Sequence, residues 1–218
     1  MRAALESLLR ARKLDVTMTA APDGLVPPPE RLALTGAADL DAALGGGLRR
    51  GQLSEIAGRA SSGVTTIAMA AMAAAAARGE AVALVDTADT FDPASAAACG
   101  LDLSRLLWVR ERGDAARALK AFSLILQAGG FGLVMLDLSD VPAPALRRYP
   151  HTTWLRIARM VEGRETVALL TVRERLARSA GGVTVSLEPS PSRWQGQAHR
   201  ARVYTGIVAA PRVIGGRR

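Results

Sequence analysis

The stretch that decides the fold is Gly58–Thr66, which reads Gly-Arg-Ala-Ser-Ser-Gly-Val-Thr-Thr. It has the outline of the phosphate-binding loop Gly-x-x-x-x-Gly-Lys-[Ser/Thr], with Val64 at the position of the lysine. In such a loop the backbone N–H groups turn toward the phosphates, the next helix presents its positive end, and the lysine holds the β and γ oxygens. The sequence therefore predicts the loop without its charge.

The missing lysine has a large electrostatic effect. A lysine about 4 Å from a phosphate, at an effective dielectric near 20, is attracted by about 4 kcal/mol before desolvation. Each ~1.4 kcal/mol corresponds to a factor of ten in affinity. We therefore expect Val64 to weaken triphosphate binding by up to about three decades and to impair phosphoryl transfer.

The segments on either side of the loop predict an α/β fold. An apolar strand at 53–57 leads into the loop and an alanine-rich helix from Thr65 to about Arg78 follows it, which is the context that a phosphate-binding loop requires. Further apolar strands are expected at 81–86, 106–109, 133–137 and 166–172, alternating with helices from about 115 to 128 and from about 143 to 162. This alternation indicates a mostly parallel sheet with helices on both faces.

The two ends of the chain have a different character. Residues 1–30 predict a short amphipathic helix followed by a proline-rich linker, residues 31–212 a core domain, and residues 213–218 a basic tail. The helix has an apolar face formed by Leu5, Leu8 and Leu9, which we interpret as a surface for self-association or for a related protein. Near the other end, strands at 183–187 and 200–208 are expected to form an antiparallel hairpin.

The positive charge lies in the C-terminal third. The chain carries a formal charge of +8, and residues 141–218 hold 14 basic and only 4 acidic side chains. This asymmetry favours a DNA-binding or acidic-partner surface, although an arginine-rich solvated surface explains it equally well. The candidates are Arg147, Arg148, Arg173, Arg175, Arg178, Arg193, Arg200, Arg202 and Arg212, with Trp194 as a stacking platform.

Other functional classes find little support in the composition. The chain opens on no apolar leader, and its longest uncharged apolar stretch is far shorter than the ~18 residues of a membrane span, so we expect a cytoplasmic protein. Cys99, the single cysteine, is interpreted as a buried packing thiol, and no metal cluster is expected. His151 and His199 have no catalytic partner at a recognisable spacing, and Trp108 and Trp154 are expected in the core.

These features together resemble the ATPase core of the RecA recombinases over roughly residues 31–212. The resemblance rests on the segments 40–45, 58–66, 86–93 and 202–211, and on Asp137, which follows an apolar strand as the family's Walker B acid does. It implies an α/β RecA-like P-loop fold, a mostly parallel sheet flanked by helices with a C-terminal antiparallel hairpin. In the family, the Walker B acid positions Mg²⁺ through water or the loop hydroxyl.

The departures from the family fall on its chemistry. Val64 replaces the lysine, Ala88 stands where the family keeps the glutamate that activates water, and the Asn-Gln pair that senses the γ-phosphate is missing after Val172. Asp89 and Arg59 are the available substitutes for a base and a phosphate ligand, but neither has the family's spacing. We therefore expect a pseudo-ATPase with weak or absent ATP binding and no catalytic residue. Its degenerate nucleotide site comprises Gly58, Ser61, Ser62, Gly63, Val64, Thr65, Thr66 and Asp137.

RecA-like proteins that have lost ATPase residues include the ImuA group, accessory factors of bacterial translesion synthesis. The size of the chain, its N-terminal helix and its basic C-terminal third are more similar to this group than to the shorter SulA-type division inhibitors. The resemblance implies contact with an ImuB-type Y-family-like protein, with RecA, and through them with an error-prone DNA polymerase. A slow, atypical ATP-dependent recombinase and a SulA-like inhibitor are the alternatives.

Overall fold

The computed structural model describes residues 31–177, 182–188, 192–196, 203–207 and 211–214. All of them belong to one compact unit, Pro29–Gly216. The predicted N-terminal helix with Leu5, Leu8 and Leu9 lies outside the described residues, as do Arg178, His199, Arg200 and Arg202. The domain boundaries at residues 30 and 212 stay predictions.

A seven-stranded sheet forms the centre of the described structure. The helices are α1 (Ala38–Leu44), α2 (Val64–Ala77), α3 (Pro93–Ala98), α4 (Ala115–Ala128), α5 (Ala143–Leu146) and α6 (His151–Val161). The strands are β1 (Leu32–Ala33), β2 (Leu48–Arg49), β3 (Leu53–Gly58), β4 (Val82–Asp86), β5 (Leu106–Arg110), β6 (Leu133–Asp137), β7 (Val167–Val172), β8 (Thr184–Leu187), β9 (Ser192–Gln195), β10 (Val203–Ile207) and β11 (Pro211–Ile214). The sheet order is β11-β8-β3-β7-β6-β4-β5, and every pair is parallel except β11 with β8.

Apolar side chains fill both faces of this sheet. On one face α2 packs through its small residues, among which Ala71, Ala75 and Ala76 are buried. On the other face α4 and α6 contribute Phe122 and Trp154, both with almost no exposed surface. The central strands β4, β6 and β7 are almost entirely apolar because helices cover them on both sides. The α/β prediction and the buried position of Trp154 are confirmed.

The C-terminal antiparallel hairpin is confirmed, although the strands that pair are not the two expected. The antiparallel pairing is present, but it forms two pairs, β8 with β11 and β9 with β10. The strand at 183–187 therefore does not pair with the one near 203–207. Instead β8 joins the main sheet beside β3, and β9 with β10 form a separate two-stranded unit.

Three local predictions need correction. The helix expected over about 143–162 is two helices, because Pro150 at the N-terminus of α6 cannot continue α5. Cys99 is exposed, since it ends the short surface helix α3, in which only Ala96 is buried. Trp108 is half-buried on β5, which is an edge strand.

No helix in the described part of the chain is long and apolar enough to cross a membrane. Among the same residues, no cluster of three or more histidine, cysteine, aspartate or glutamate side chains is placed to hold a metal ion.

Candidate functional site at the carboxyl edge of the sheet

The predicted site residues meet at one edge of the sheet. Because β3, β4, β6 and β7 are parallel, their carboxyl ends lie at the same edge, where α/β proteins bind ligands. Asp86 at the end of β4 lies opposite Asp137 at the end of β6, and Asp137 lies opposite Thr171 on β7. The phosphate-loop sequence follows β3, two strands away from β6.

The loop keeps the backbone shape of an anion-binding turn. Gly63 has a left-handed conformation (φ 92°) and precedes the first residue of the 14-residue helix α2, and Ser61 is also left-handed (φ 64°). The N–H of Ser62 donates to the carbonyl of Arg59 (3.1 Å). A Cβ on Gly58 would lie only 2.3 Å from the Ser62 hydroxyl oxygen and 3.0 Å from the carbonyl of Leu187, so only glycine fits there. The glycines are thus required by the turn itself.

Val64 points into the protein. The residue is 8% exposed and belongs to the core on the α2 face of the sheet. Its Cγ2 lies 2.9 Å from the position that a Cβ on Gly58 would take, so it packs against the end of β3. Thr65 and Thr66 are exposed on the first turn of α2, and the buried Ser62 hydroxyl has no hydrogen-bond partner among the described residues. The backbone and hydroxyls fit a phosphate group, whereas the residue at the lysine position does not.

Asp137 accepts hydrogen bonds from neighbouring residues. Its Oδ1 accepts hydrogen bonds from the Thr171 hydroxyl (2.7 Å) and from the N–H of Ser139 (2.9 Å). These bonds tie the end of β6 to β7 and to the turn that follows β6. The residue therefore has a structural role here.

The turn after β4 is held by a buried carboxylate that the sequence interpretation did not single out for this role. Asp86 is 1% exposed, and it accepts hydrogen bonds from the N–H groups of Thr90 (3.1 Å) and Phe91 (2.9 Å) and from the indole N–H of Trp108 (3.3 Å). Ala88 lies half-buried within this turn. Its methyl group offers no atom that can activate water.

Asp89, the alternative base, is already paired. Arg110 donates to it through Nε (2.5 Å) and through a terminal nitrogen (2.9 Å), and the guanidinium lies 4.6 Å from the centre of the Trp108 ring. The hydrogen bond from Arg110 lowers the pKa of Asp89 below its ordinary value. A carboxylate with a lowered pKa is a weaker base, so the geometry argues against Asp89 as a substitute for the missing glutamate.

A comparison with known protein families shows which family the chain belongs to. Residues 30–146, more than half of the sequence, match the model of the RecA N-terminal domain. The chain belongs to this family. It is 38% identical over 113 residues to Protein RecA of Kineococcus radiotolerans, 39% over 103 residues to that of Nostoc sp., and 38% over 104 residues to that of Deinococcus radiodurans.

The matched region is only part of those RecA proteins. The alignments include 51%, 47% and 47% of this chain, but only 32%, 29% and 28% of the three relatives. The RecA-like chain thus spans about a third of the length of the curated relatives it matches. Its fold is similar to the crystal structure of the RadB recombinase, with a TM-score of 0.53 and 19% identity over 74% of this chain and 86% of that one.

Some of the arginines predicted to bind DNA or a partner lie near one another in this RecA-like domain. Arg173 follows β7 and donates to the carbonyl of Ser139 (2.6 Å) and to Asp140 (2.7 Å). Arg147, at the end of α5, pairs with Glu174 (3.4 Å), which brings the end of α5 near the segment after β7. Of the other candidates, Arg148, Arg175 and Arg212 are exposed, and Arg193 lies on β9. Two of the cations are therefore partly neutralised by carboxylates.

A cleft at the opposite edge of the RecA-like sheet was not predicted. It has a volume of about 750 Å³ and is lined by Arg50, Glu80, Gly129, Arg164 and Thr166, among others. Arg50 pairs with Glu80 and donates to the carbonyl of Glu165 (2.8 Å), while Arg164 donates to the carbonyls at the end of α4. These residues are far apart in sequence, so no local motif reveals the cleft. It lies away from the phosphate-type loop.

Proposed function

We propose that this RecA-like protein acts by binding other proteins of the bacterial DNA-damage response and does not hydrolyse ATP. In this proposal it is an accessory factor of translesion synthesis that uses the RecA fold as an interaction scaffold. It has no catalytic residue and needs no cofactor.

The observation that carries the proposal is the position of Val64. Its methyl groups are buried against β3 beneath the loop, where an exposed cation would be needed to bind triphosphate. The residue thereby contributes to the apolar core and offers nothing to a ligand. An uncharged loop supported by packing is the expected form of a P-loop that has kept only its structural role.

Two further positions support loss of catalysis. Ala88 supplies no base, and the nearest carboxylate along the turn, Asp89, is engaged by Arg110. After β7, where the family's phosphate sensor is absent, Arg173 is held by Ser139 and Asp140. Each change removes a different part of the reaction, so restoring one residue would not restore turnover.

The partners proposed are RecA, an ImuB-type Y-family-like protein and, through these, an error-prone polymerase. RecA is favoured because the chain carries the core of a RecA N-terminal domain and can present related surfaces to a RecA filament. The N-terminal helix predicted around Leu5, Leu8 and Leu9 is the proposed contact with RecA or with a second copy of this chain. Action in the cytoplasm, beside RecA, is part of the same proposal.

The test is a titration of the purified protein into RecA assembled on single-stranded DNA. We expect co-sedimentation with the filament and a change in RecA's ATPase rate, since a subunit lacking the catalytic groups would interrupt or cap the assembly. A variant with Leu5, Leu8 and Leu9 changed to serine should bind less, whereas a control with Arg156 and Arg159 changed to alanine should bind normally. Absence of any association with wild-type protein would contradict the proposal.

Direct DNA binding is a second candidate, favoured by the proximity of Arg147 to the segment carrying Arg173 and Arg175. Binding through these arginines should weaken steeply with salt, because each neutralised phosphate releases counterions. We expect a variant with Arg148 and Arg175 changed to alanine to lose affinity and to show a shallower salt dependence, while the Arg156/Arg159 control keeps both. Lack of binding to single-stranded DNA even at low salt would remove this candidate.

A further inference from the structure

A buried carboxylate in the middle of β3 has no role in the site described above. Glu55 is 1% exposed and lies three residues before Gly58. Its Oε2 accepts hydrogen bonds from the N–H groups of Leu176 (3.0 Å) and Ala177 (2.8 Å), and its Oε1 accepts one from the hydroxyl of Thr184 (2.7 Å). Three neutral groups therefore donate hydrogen bonds to this carboxylate. Among the described residues, no arginine or lysine forms an ion pair with it.

The sheet order explains why Glu55 reaches these donors. β3 lies between β7 and β8, and Glu55 is in register with Leu170 on one side and with Thr184 on the other. Because β7, β3 and β8 are parallel, the chain that leaves the carboxyl end of β7 has to return alongside β3 before it enters β8. The residue just before β8 is also held at the middle of β3, since the N–H of Glu55 donates to the carbonyl of Val183 (2.9 Å).

The chain packs closely against β3 around these contacts. Ala177 is 2% exposed and belongs to the core, so its N–H needs an acceptor inside the protein. On the returning end, a Cβ on Gly182 would lie 2.0 Å from the carbonyl oxygen of Leu53, which shows how closely the chain approaches β3. Burying a charge in this way is costly unless it is hydrogen-bonded, and here both carboxylate oxygens accept hydrogen bonds.

We infer that Glu55 is a positioning residue that fixes the segment 173–177 and so holds Arg173 and Arg175 in one arrangement at the carboxyl edge of the sheet. The segment is then attached from two sides, by Glu55 beneath it and by the contacts of Arg173 with Ser139 and Asp140. A rigid basic segment suits recognition of one acidic surface, since little conformational freedom is lost on binding. What the segment binds rests on the proposed function, whereas its attachment to Glu55 does not.

Hydrogen exchange at individual amides tests this inference on the full-length protein. Methionine matches the length of glutamate without its acceptors, so Glu55→Met should speed exchange of the Leu176 and Ala177 amides by at least tenfold. Glu55→Gln keeps one acceptor for both N–H groups and can donate to the Thr184 hydroxyl, so it should restore most of the protection, leaving exchange about threefold to tenfold faster than wild type. The control Thr184→Val removes only the hydroxyl donor and should leave both amides protected.

The outcomes separate a positioning role from a general structural one. The inference holds if the acceleration is confined to residues 173–177 and follows the order wild type, Gln, Met, with the amides of β6 and β7 unchanged. It is overturned if the Met variant exchanges like wild type at these amides or loses protection equally across the sheet. If the Met variant does not fold, unchanged exchange in the Gln variant overturns it.

RecA binding, measured on the same variants, distinguishes this inference from the proposed function. If wild-type protein does not bind RecA but the exchange pattern appears, the proposed function fails and the role of Glu55 stands. If wild-type protein binds RecA and exchange at 176–177 is insensitive to Glu55, the inference alone fails.

Discussion

Introducing a lysine at position 64 tests the proposal that the buried valine weakens nucleotide binding. The substitution Val64→Lys places a cation at the start of α2, where the loop backbone and Thr65 already have the form of a phosphate site. A lysine about 4 Å from a phosphate contributes about 4 kcal/mol before desolvation. We therefore expect affinity for ATP with Mg²⁺ to rise between tenfold and about a thousandfold over a weak or undetectable wild-type value.

The same substitution should also lower the stability of the folded protein. Val64 is buried, so removing its two methyl groups from the core loses about 2 kcal/mol of stability, including the space left behind. For a domain of this size that corresponds to a decrease in Tm of roughly 4–8 °C. Val64→Ala should show the same decrease without any gain in affinity, because it removes the burial and adds no charge. It is the matched control.

Isothermal titration calorimetry and thermal shift with ATP and Mg²⁺ measure both effects. The lysine variant should bind but not turn over, since Ala88 supplies no base and Asp89 is engaged by Arg110. Micromolar ATP binding by the wild-type protein, equal to that of the lysine variant, would refute the reasoning. Turnover by the wild-type protein would favour the atypical recombinase instead.

Two other substitutions test the packing and the electrostatics of the described unit. Gly58→Ala should destabilise the protein by roughly 2 kcal/mol or more, because its Cβ would lie 2.3 Å from the Ser62 hydroxyl oxygen; denaturant unfolding measures this, and stability equal to wild type would contradict the turn geometry. For Glu80, burial raises the pKa, but hydrogen bonds from Arg78 and Arg50 outweigh it and hold the pKa below its ordinary value of 4.5. Glu80→Gln should therefore cost about 0.2–1 kcal/mol above pH 4.5, and the difference from wild type should disappear as pH falls through the lowered pKa; a difference that grew in acid would show that the sign is wrong.

The elements of the fold were predictable because their signals are local. The strand–loop–helix unit around Gly58–Thr66 and the apolar runs of β4, β6 and β7 appear directly in the sequence. These strands are buried on both faces and therefore read as continuous apolar segments. The position of Asp137 at the end of β6 follows from the same pattern. So does the placement of the candidate site at the carboxyl edge.

The predictions that were wrong or incomplete depend on contacts between distant residues. The strand at 183–187 has no local feature that distinguishes pairing with β10 from pairing with β3 and β11. Cys99 was expected to be buried because free cysteines are usually buried, but α3 buries only one residue and leaves the thiol exposed. The contact of Arg110 with Asp89 joins residues on β5 and in the turn after β4, so it depends on strand order.

The burial of Glu55 could not be predicted from the sequence. In the pattern Leu-Ser-Glu-Ile-Ala it occupies a strand otherwise suited to the core, and its burial becomes understandable only when the segment after β7 supplies two N–H donors and β8 a hydroxyl. The same strand ends at Gly58, where Val64 packs. β3 therefore contacts two neighbouring loops. Its end packs against Val64 of the phosphate-type loop, and the carboxylate of Glu55 accepts hydrogen bonds from the segment 173–177. Because neither contact requires a nucleotide, both loops can keep their form in the non-catalytic accessory protein that we propose.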